Sequence, residues 1–244
     1  MSVYIERLKL RSKDVDMFRR LRSSELFKLL QEASIRHTEE LGMGREKTLD
    51  RGILWVLLMQ RAEIRRMPEY DEEIVLKSWP GKTMHLLFPR FYSLETEAGE
   101  SLMKASALWS LVDAKTRKVV FPERYGVEIE GVTTGEEIAL PGSIRKQDCN
   151  REQPFTVPYS FVDLNGHMNN TRYFDLAEDC VGAAARGKLL REIRTEYVNE
   201  ARFGETLLLR WGGEDGEIFF SGESTADDPG AEGKPVFRMT LNYE

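Results

Sequence analysis

Histidine and cysteine are scarce in this chain: His37, His85 and His167 are its only imidazoles, and Cys149 and Cys180 its only thiols. Two cysteines cannot build a disulfide framework, and they point to a reducing, cytoplasm-like compartment. Histidines at metal-ligand spacing are missing, which argues against a zinc site. A phosphate-cradling loop is missing as well, because Gly42-Met43-Gly44 has neither a preceding strand nor the remaining spacing. No metal or cofactor is expected. There is no basic surplus either: the formal charge is −6 and the isoelectric point is about 5.4. That excludes a nucleic-acid footprint, and any acidic partner must be met by a local patch. The longest apolar run, Ile53 to Met59, is far short of the roughly 20 residues a membrane helix needs. The opening Met1 to Arg7 reaches a charge at Glu6 without an apolar signal core, so neither a membrane span nor secretion is expected.

What is present is enough apolar residue, 41% of 244, for one large domain or two small ones. Two amphipathic helices are expected. The first has Leu26, Leu29, Leu30, Ala33, His37 and Leu41 on one stripe; the second has Tyr173, Leu176, Ala177, Cys180, Val181 and Ala184. Gly42 and Gly187 suit the left-handed position past each helix end. Leu26 and Tyr173 correspond at an offset of 173 − 26 = 147, and Trp79 and Trp211 at 211 − 79 = 132. The first copy therefore carries 147 − 132 = 15 extra residues between helix and strand, and within that longer connection lies Ile53 to Met59, read as a strand buried on both faces. Strand-like runs follow each helix: Ile74 to Trp79, His85 to Leu94 and Leu102 to Val112, then Thr206 to Trp211, Ile218 to Ser221 and Val236 to Asn242. The pattern is α+β: one long helix followed by antiparallel strands, twice. Residues 1–122 and 154–244 are the two halves, and 123–153, rich in glycine and proline, reads as a linker.

The stretch Asp163-Leu164-Asn165-Gly166-His167-Met168-Asn169-Asn170 holds the chemistry. Taken as extended, it puts Asp163, Asn165 and His167 on one face. Gly166 and the paired asparagines argue against a helix there, and Asn169 or Asn170 suits the N-cap of the helix that follows. In the first copy the matching positions are Asp16, Phe18 and Arg20, and Glu200 falls on Pro68. Only the second copy has Asp, Asn, His and Glu together, so catalysis is expected there and binding surface in the first copy.

The Asp163-x-Asn165-x-His167-x-Asn169-Asn170 run, with Glu196-Tyr197-Val198-Asn199-Glu200 downstream, resembles the acyl-acyl carrier protein thioesterases of plants and bacteria. The resemblance covers essentially the whole chain and implies a double hotdog fold, in which a long helix is wrapped by an antiparallel sheet in each half. It further implies that Asp163, Asn165, His167 and Glu200 are catalytic, that acyl carrier protein is the partner and that no cofactor takes part. Many plant members have a cysteine directly after the glutamate. Here that residue is Ala201, so a papain-like cysteine cannot act from this position. Cys180, on the apolar stripe, reads as a core thiol.

Without a nucleophilic side chain, thioester cleavage needs an activated water and a polarised carbonyl. The expected roles are Glu200 as base, Asn165 holding the water, His167 polarising the carbonyl and Asp163 orienting the imidazole, with His167 as base the alternative. A helix N-terminus near Asn170 could add donors. Trp55, Leu57 and Met59 are candidate acyl-binding residues of the first half. His37 reads as a core histidine and His85 as a packing or hydrogen-bonding residue of a strand. Arg19, Arg20, Arg22, Arg65, Arg66, Arg186, Lys188, Arg191 and Arg194 are either solvated charges or a docking surface for the acidic carrier. The leading reading is an acyl-carrier thioesterase, monomeric or homodimeric. Its rivals are an acyl-CoA thioesterase and a non-catalytic acyl-binding module.

Overall fold

In a computed structural model that describes residues 2–182, 187–214, 216–225 and 233–244, the chain forms two compact units, Met1–Pro141 and Gly142–Glu244. The first contains β1 (Tyr4–Lys9), α1 (Ser23–Glu40), β2 (Ile53–Ile64), β3 (Glu73–Pro80), β4 (Phe88–Thr96) and β5 (Ser101–Asp113). Its strands are antiparallel in the order β1-β3-β4-β5-β2. Leu26, Phe27, Leu30 and Ala33 bury one stripe of α1, while Lys28, Arg36 and Glu40 face solvent. Gly42, at φ +68°, takes the left-handed position past the helix end, as expected. His37 is a core residue, fully buried, and its Nδ1 lies 2.8 Å from the Arg90 guanidinium on β4.

The second unit contains β6 (Arg151–Thr156), α2 (Arg172–Val181), β7 (Leu190–Tyr197), β8 (Thr206–Glu214), β9 (Glu217–Ser224) and β10 (Lys234–Tyr243). Its strand order is β7-β10-β9-β8-β6, so β6, β8, β9, β10 and β7 repeat the topology of β1, β3, β4, β5 and β2. Tyr173 on α2 packs its ring 4.7 Å from Phe237, which meets Phe220 at 5.2 Å to form an aromatic core. The helix ends at Val181, with Gly182 as its cap in a helical backbone conformation, so Gly187, left-handed at φ +84°, is not the residue just past its end. Ala184, expected on its stripe, lies outside the described residues.

Strand pairing fixes how the two copies match. Tyr4 pairs with Ser78 and Lys9 with Glu73, while Arg151 pairs with Trp211 and Thr156 with Thr206. The offset is therefore 151 − 4 = 147 for the first strand but 211 − 78 = 133 for the next, one residue more than the tryptophan alignment gave. Glu200 thus corresponds to Met67 rather than Pro68, and the excess in the first copy is 147 − 133 = 14 residues.

Several expectations need correction. The strand expected from His85 begins at Phe88, because Met84 and Leu87 bond each other across a tight turn and His85 is left-handed at φ +55°. The segment 53–59 is a strand but is not buried on both faces: Ile53 and Leu57 are buried, whereas Trp55, Val56, Leu58 and Met59 are half-buried. Much of the expected linker is packed chain. Val127 and Ile129 join the core with Ile53, Phe88 and Leu111, and β6 starts at Arg151. Three strands escaped the sequence reading. Edge strands β1 and β6 bury little, Pro154 being tolerated on such an edge, and β7 alternates its few inward residues, Ile193 and Thr195, with charges.

Candidate active site

Residues 163–168 form a tight hairpin turn, not an extended strand. The Asp163 amide donates to the His167 carbonyl at 2.9 Å, the Gly166 amide to the Asp163 carbonyl at 3.0 Å, and the Asn165 amide to the Asp163 carboxylate at 2.8 Å. Gly166 is left-handed at φ +80°. Turn chemistry explains the departure from strand alternation: an aspartate that closes on the amide two residues ahead, followed by Asn-Gly, outweighs period two. Asp163 and His167 therefore stand at the base of the turn, and Asn165 is exposed beside its tip.

The segment after β7 runs back along this turn. His167 pairs with Arg202 as an antiparallel bridge, and the Met168 amide donates to the Ala201 carbonyl at 2.8 Å. That pairing brings Glu200 onto the imidazole, with Oε2 3.0 Å from His167 Nε2. The His167 side chain is 12% exposed and that of Glu200 37%, so the pair is sheltered yet reachable by water. The Glu205 carboxylate accepts from the Arg202 amide at 2.8 Å and holds the loop that carries Glu200. Neither Asn169 nor Asn170 is the N-cap of α2: Thr171 holds that position without a side-chain cap bond, and the Asn169 side-chain oxygen accepts instead from the amide and hydroxyl of Thr171 at 2.9 and 2.8 Å.

The first unit builds the same turn without the chemistry. The Asp16 amide donates to the Arg20 carbonyl at 2.8 Å, the Asp16 carboxylate accepts from the Phe18 amide at 2.8 Å, and the Leu21 amide donates to the Pro68 carbonyl at 2.8 Å. Arg20 replaces His167 and bonds Asp16 at 3.4 Å, and Met67 replaces Glu200. The shared bonds belong to the fold; the His–Glu pair belongs to the second unit alone.

Two residues of this unit were not singled out as functional. Tyr173 and Tyr197 meet edge-to-face with ring centroids 5.6 Å apart, and the Tyr197 hydroxyl donates to the Asn170 carbonyl at 2.9 Å. Burial first, then the carboxylates of Glu205, Glu200 and Asp163, push the Tyr173 phenol up, so it remains a neutral O–H. The sequence did carry a signal: the matching residues of the first copy are Leu26 and Ile64, which have no hydroxyl.

The remaining candidates fall as follows. Trp55 packs against Phe88 at 4.7 Å and donates to the Met43 carbonyl at 3.3 Å; Leu57 is buried and Met59 half-buried on the same strand, with a bulge between them. The Cys180 thiol is half-buried and pushed up by burial and then by Asp179, which suits a packing thiol better than a nucleophile. Among the basic residues, Arg20 pairs with Asp16, Arg66 forks onto Glu72 at 2.8 and 2.9 Å, Arg191 bonds Glu244 at 2.7 Å, and Arg19 lies over the Tyr70 ring. Arg186 lies outside the described residues. Among those residues no cluster of three metal-ligating side chains occurs, and no helix is long and apolar enough to cross a membrane.

Residues 1–124 match the acyl-ACP thioesterase N-terminal domain, and residues 144–234 match the acyl-ACP thioesterase C-terminal domain. A chloroplastic acyl-[acyl-carrier-protein] hydrolase of Cuphea viscosissima is 23% identical over 186 residues, 70% of this chain and 45% of that protein. The chain spans less than half the length of the curated relatives it matches. Its fold is that of an acyl-ACP thioesterase from Bacteroides thetaiotaomicron, with a TM-score of 0.84, 21% identity and coverage of 99% and 98% of the two chains. The 12:0-ACP thioesterase from Umbellularia californica superposes with a TM-score of 0.80 at 18% identity, covering 99% of this chain and 97% of that one. Both are consistent with the double hotdog architecture expected from the sequence.

Proposed function

The chain belongs to the acyl-ACP thioesterase family, and from that membership we propose that it hydrolyses the thioester of a fatty acyl group borne on acyl carrier protein, releasing free fatty acid and the carrier thiol. The observation that carries this reading is the 3.0 Å contact between His167 Nε2 and Glu200 Oε2, in the copy where the other has Arg20 and Met67.

Hydrolysis needs a base for the attacking water and a donor for the oxygen that becomes negative. An Nε2–H donated to Glu200 is not aimed at a carbonyl, and a carboxylate that holds one imidazole nitrogen stabilises the imidazolium formed when the other takes a proton. The pair is therefore one base unit. Glu200 holds the ring and stabilises the imidazolium that forms when Nδ1 takes the water's proton. This moves the proton-accepting role from Glu200 alone to His167 backed by Glu200. The negative charge that develops on the carbonyl oxygen is favoured by the helix dipole at the start of α2. Asn165 holds the water, and Asp163 keeps the turn that presents His167. When the tetrahedral adduct collapses, the carbon–sulfur bond breaks and the imidazolium returns its proton to the departing thiolate.

The first unit is the binding half in this reading, with Trp55, Leu57 and Met59 lining its acyl-binding surface. Free thiols at Cys149 and Cys180 support a reducing, cytoplasm-like compartment. The test is release of free thiol from acyl carrier protein and from coenzyme A, both bearing the same acyl chain. Faster release from the carrier is expected. Preference for coenzyme A makes the protein an acyl-CoA thioesterase, and binding without thiol release makes it an acyl-binding module.

A further inference from the structure

The pairing that brings Glu200 to His167 is built from bonds that both copies share. In the second unit the Met168 amide reaches the Ala201 carbonyl at 2.8 Å; in the first, the Leu21 amide reaches the Pro68 carbonyl at the same 2.8 Å. The fold therefore already ties the turn to the returning loop, whether or not the copy carries a catalytic pair. The second unit adds a side-chain tie near the pair: the Tyr197 hydroxyl donates to the Asn170 carbonyl at 2.9 Å.

Strand register identifies the counterpart of Tyr197. Ile64 pairs, through β5, with Met103, and Tyr197 pairs, through β10, with Phe237. Leu94 pairs with Met103 and Gly222 with Phe237 at the equivalent places in the next strands, which fixes Ile64 as the match. Ile64 is buried and purely hydrocarbon, so the fold at this position does not require a hydroxyl. The same substitution of polar for apolar occurs on the helix, where Tyr173 stands for the buried Leu26 and packs its ring on that of Tyr197.

Tyr197 lies on β7, three residues before Glu200; Asn170 lies three residues after His167. Its hydroxyl thus joins the two chain segments that deliver the two halves of the base unit. We propose that Tyr197 is a positioning residue for the reaction: by tying the end of β7 to the approach of α2, it sets the separation of His167 and Glu200. The inference rests on the hydrolytic reading only for its kinetic consequence, because the separation itself can be observed without turnover. Tyr173 supports it by packing edge-to-face on the Tyr197 ring, with centroids 5.6 Å apart.

The test is Tyr197→Phe, which removes one oxygen and keeps the ring. With acyl carrier protein bearing a fatty acyl chain, kcat falls about fivefold, the factor corresponding to one net hydrogen bond. KM stays put, and the acid limb of the kcat profile moves, since the imidazole is less firmly paired. In ¹⁵N-histidine-labelled protein, the His167 ring signals shift while those of His37 and His85 do not. Unchanged kcat and an unmoved His167 signal overturn the proposal. A kcat loss matched by an equal loss of folded protein overturns it too, because that is what plain destabilisation does. If the wild type releases no thiol, the hydrolytic reading fails by itself, and the His167 signal in Tyr197→Phe still decides whether this hydroxyl holds the pair. Tyr173→Leu, which imitates the first copy, is the second variant, and it shifts the same His167 signal.

Discussion

His167 Nε2 lies 3.0 Å from Glu200 Oε2, and a backbone bridge between His167 and Arg202 brings the two chain segments together. Because the two side chains act as one unit, their losses do not add. His167→Ala and Glu200→Gln are each expected to lower kcat by about 10² to 10⁴-fold, and the double variant to be no worse than the weaker single one. Steady-state rates on acyl carrier substrate decide this. Multiplying losses would mean that the residues work independently.

The turn itself can be separated from the chemistry by using the first copy as a control. Asp16 and Asp163 each accept an amide two residues ahead at 2.8 Å. Asp16→Ala and Asp163→Ala should each cost about 1 kcal/mol of stability, but only Asp163→Ala should reduce turnover. Denaturant melts and rates measured together test the pair; equal activity losses would contradict the division between the copies.

Gly166 makes a related prediction. At φ +80°, with nothing within 4 Å of an added Cβ, its replacement by alanine meets only conformational strain. The first copy carries Arg19 at the matching position with φ +68°, so the turn tolerates a side chain. Gly166→Ala should cost about 1 kcal/mol and leave a folded enzyme with reduced kcat. A variant that fails to fold would mean the turn is less independent than the Asp16 copy implies.

Acid sensitivity should come from His37. Burial, and then the Arg90 guanidinium, hold its imidazole down to about 4, against an ordinary value of 6.5. Between those values the unfolded chain binds a proton that the folded protein does not. The stabilising contribution is therefore complete above 6.5 and is lost as pH falls toward 4, about 3 kcal/mol in all. His37→Asn keeps an acceptor for Arg90 but cannot titrate. Its stability should change less than wild type between pH 7 and 4; parallel curves would remove His37 as the cause.

Much of this was legible in the sequence because the duplication is carried by large periodic signals: the stripes of α1 and α2, and Leu26 against Tyr173. The contrast between the copies was legible too, since nothing in the first copy matches Asn165, His167 or Glu200. Their geometry was not. Alternation suggested one strand face, whereas Asp163 and Gly166 close a turn that only Asx and glycine chemistry reveals. The returning loop slipped by one residue, so Glu200 was set against Pro68 instead of Met67; two tryptophans aligned by identity conceal a register that hydrogen bonding fixes. Strands β1, β6 and β7 escaped because their few buried residues sit among charges.

Acyl selectivity should lie in the first half. Met59 is half-buried on β2 beside buried Leu57, and Met59→Trp should move hydrolysis toward shorter chains with the pH profile unaltered. A mixture of acyl carrier substrates with different chain lengths reads this directly; an unchanged product distribution would take Met59 off the acyl-binding surface.

The most direct test of the central claim is the rate of free-thiol release from fatty acyl carrier protein by the purified wild type and by Glu200→Gln, compared at equal folded concentration. The account predicts steady release by the wild type and a loss of at least about 10²-fold in the variant, while equal release by both, or none by the wild type, would contradict it.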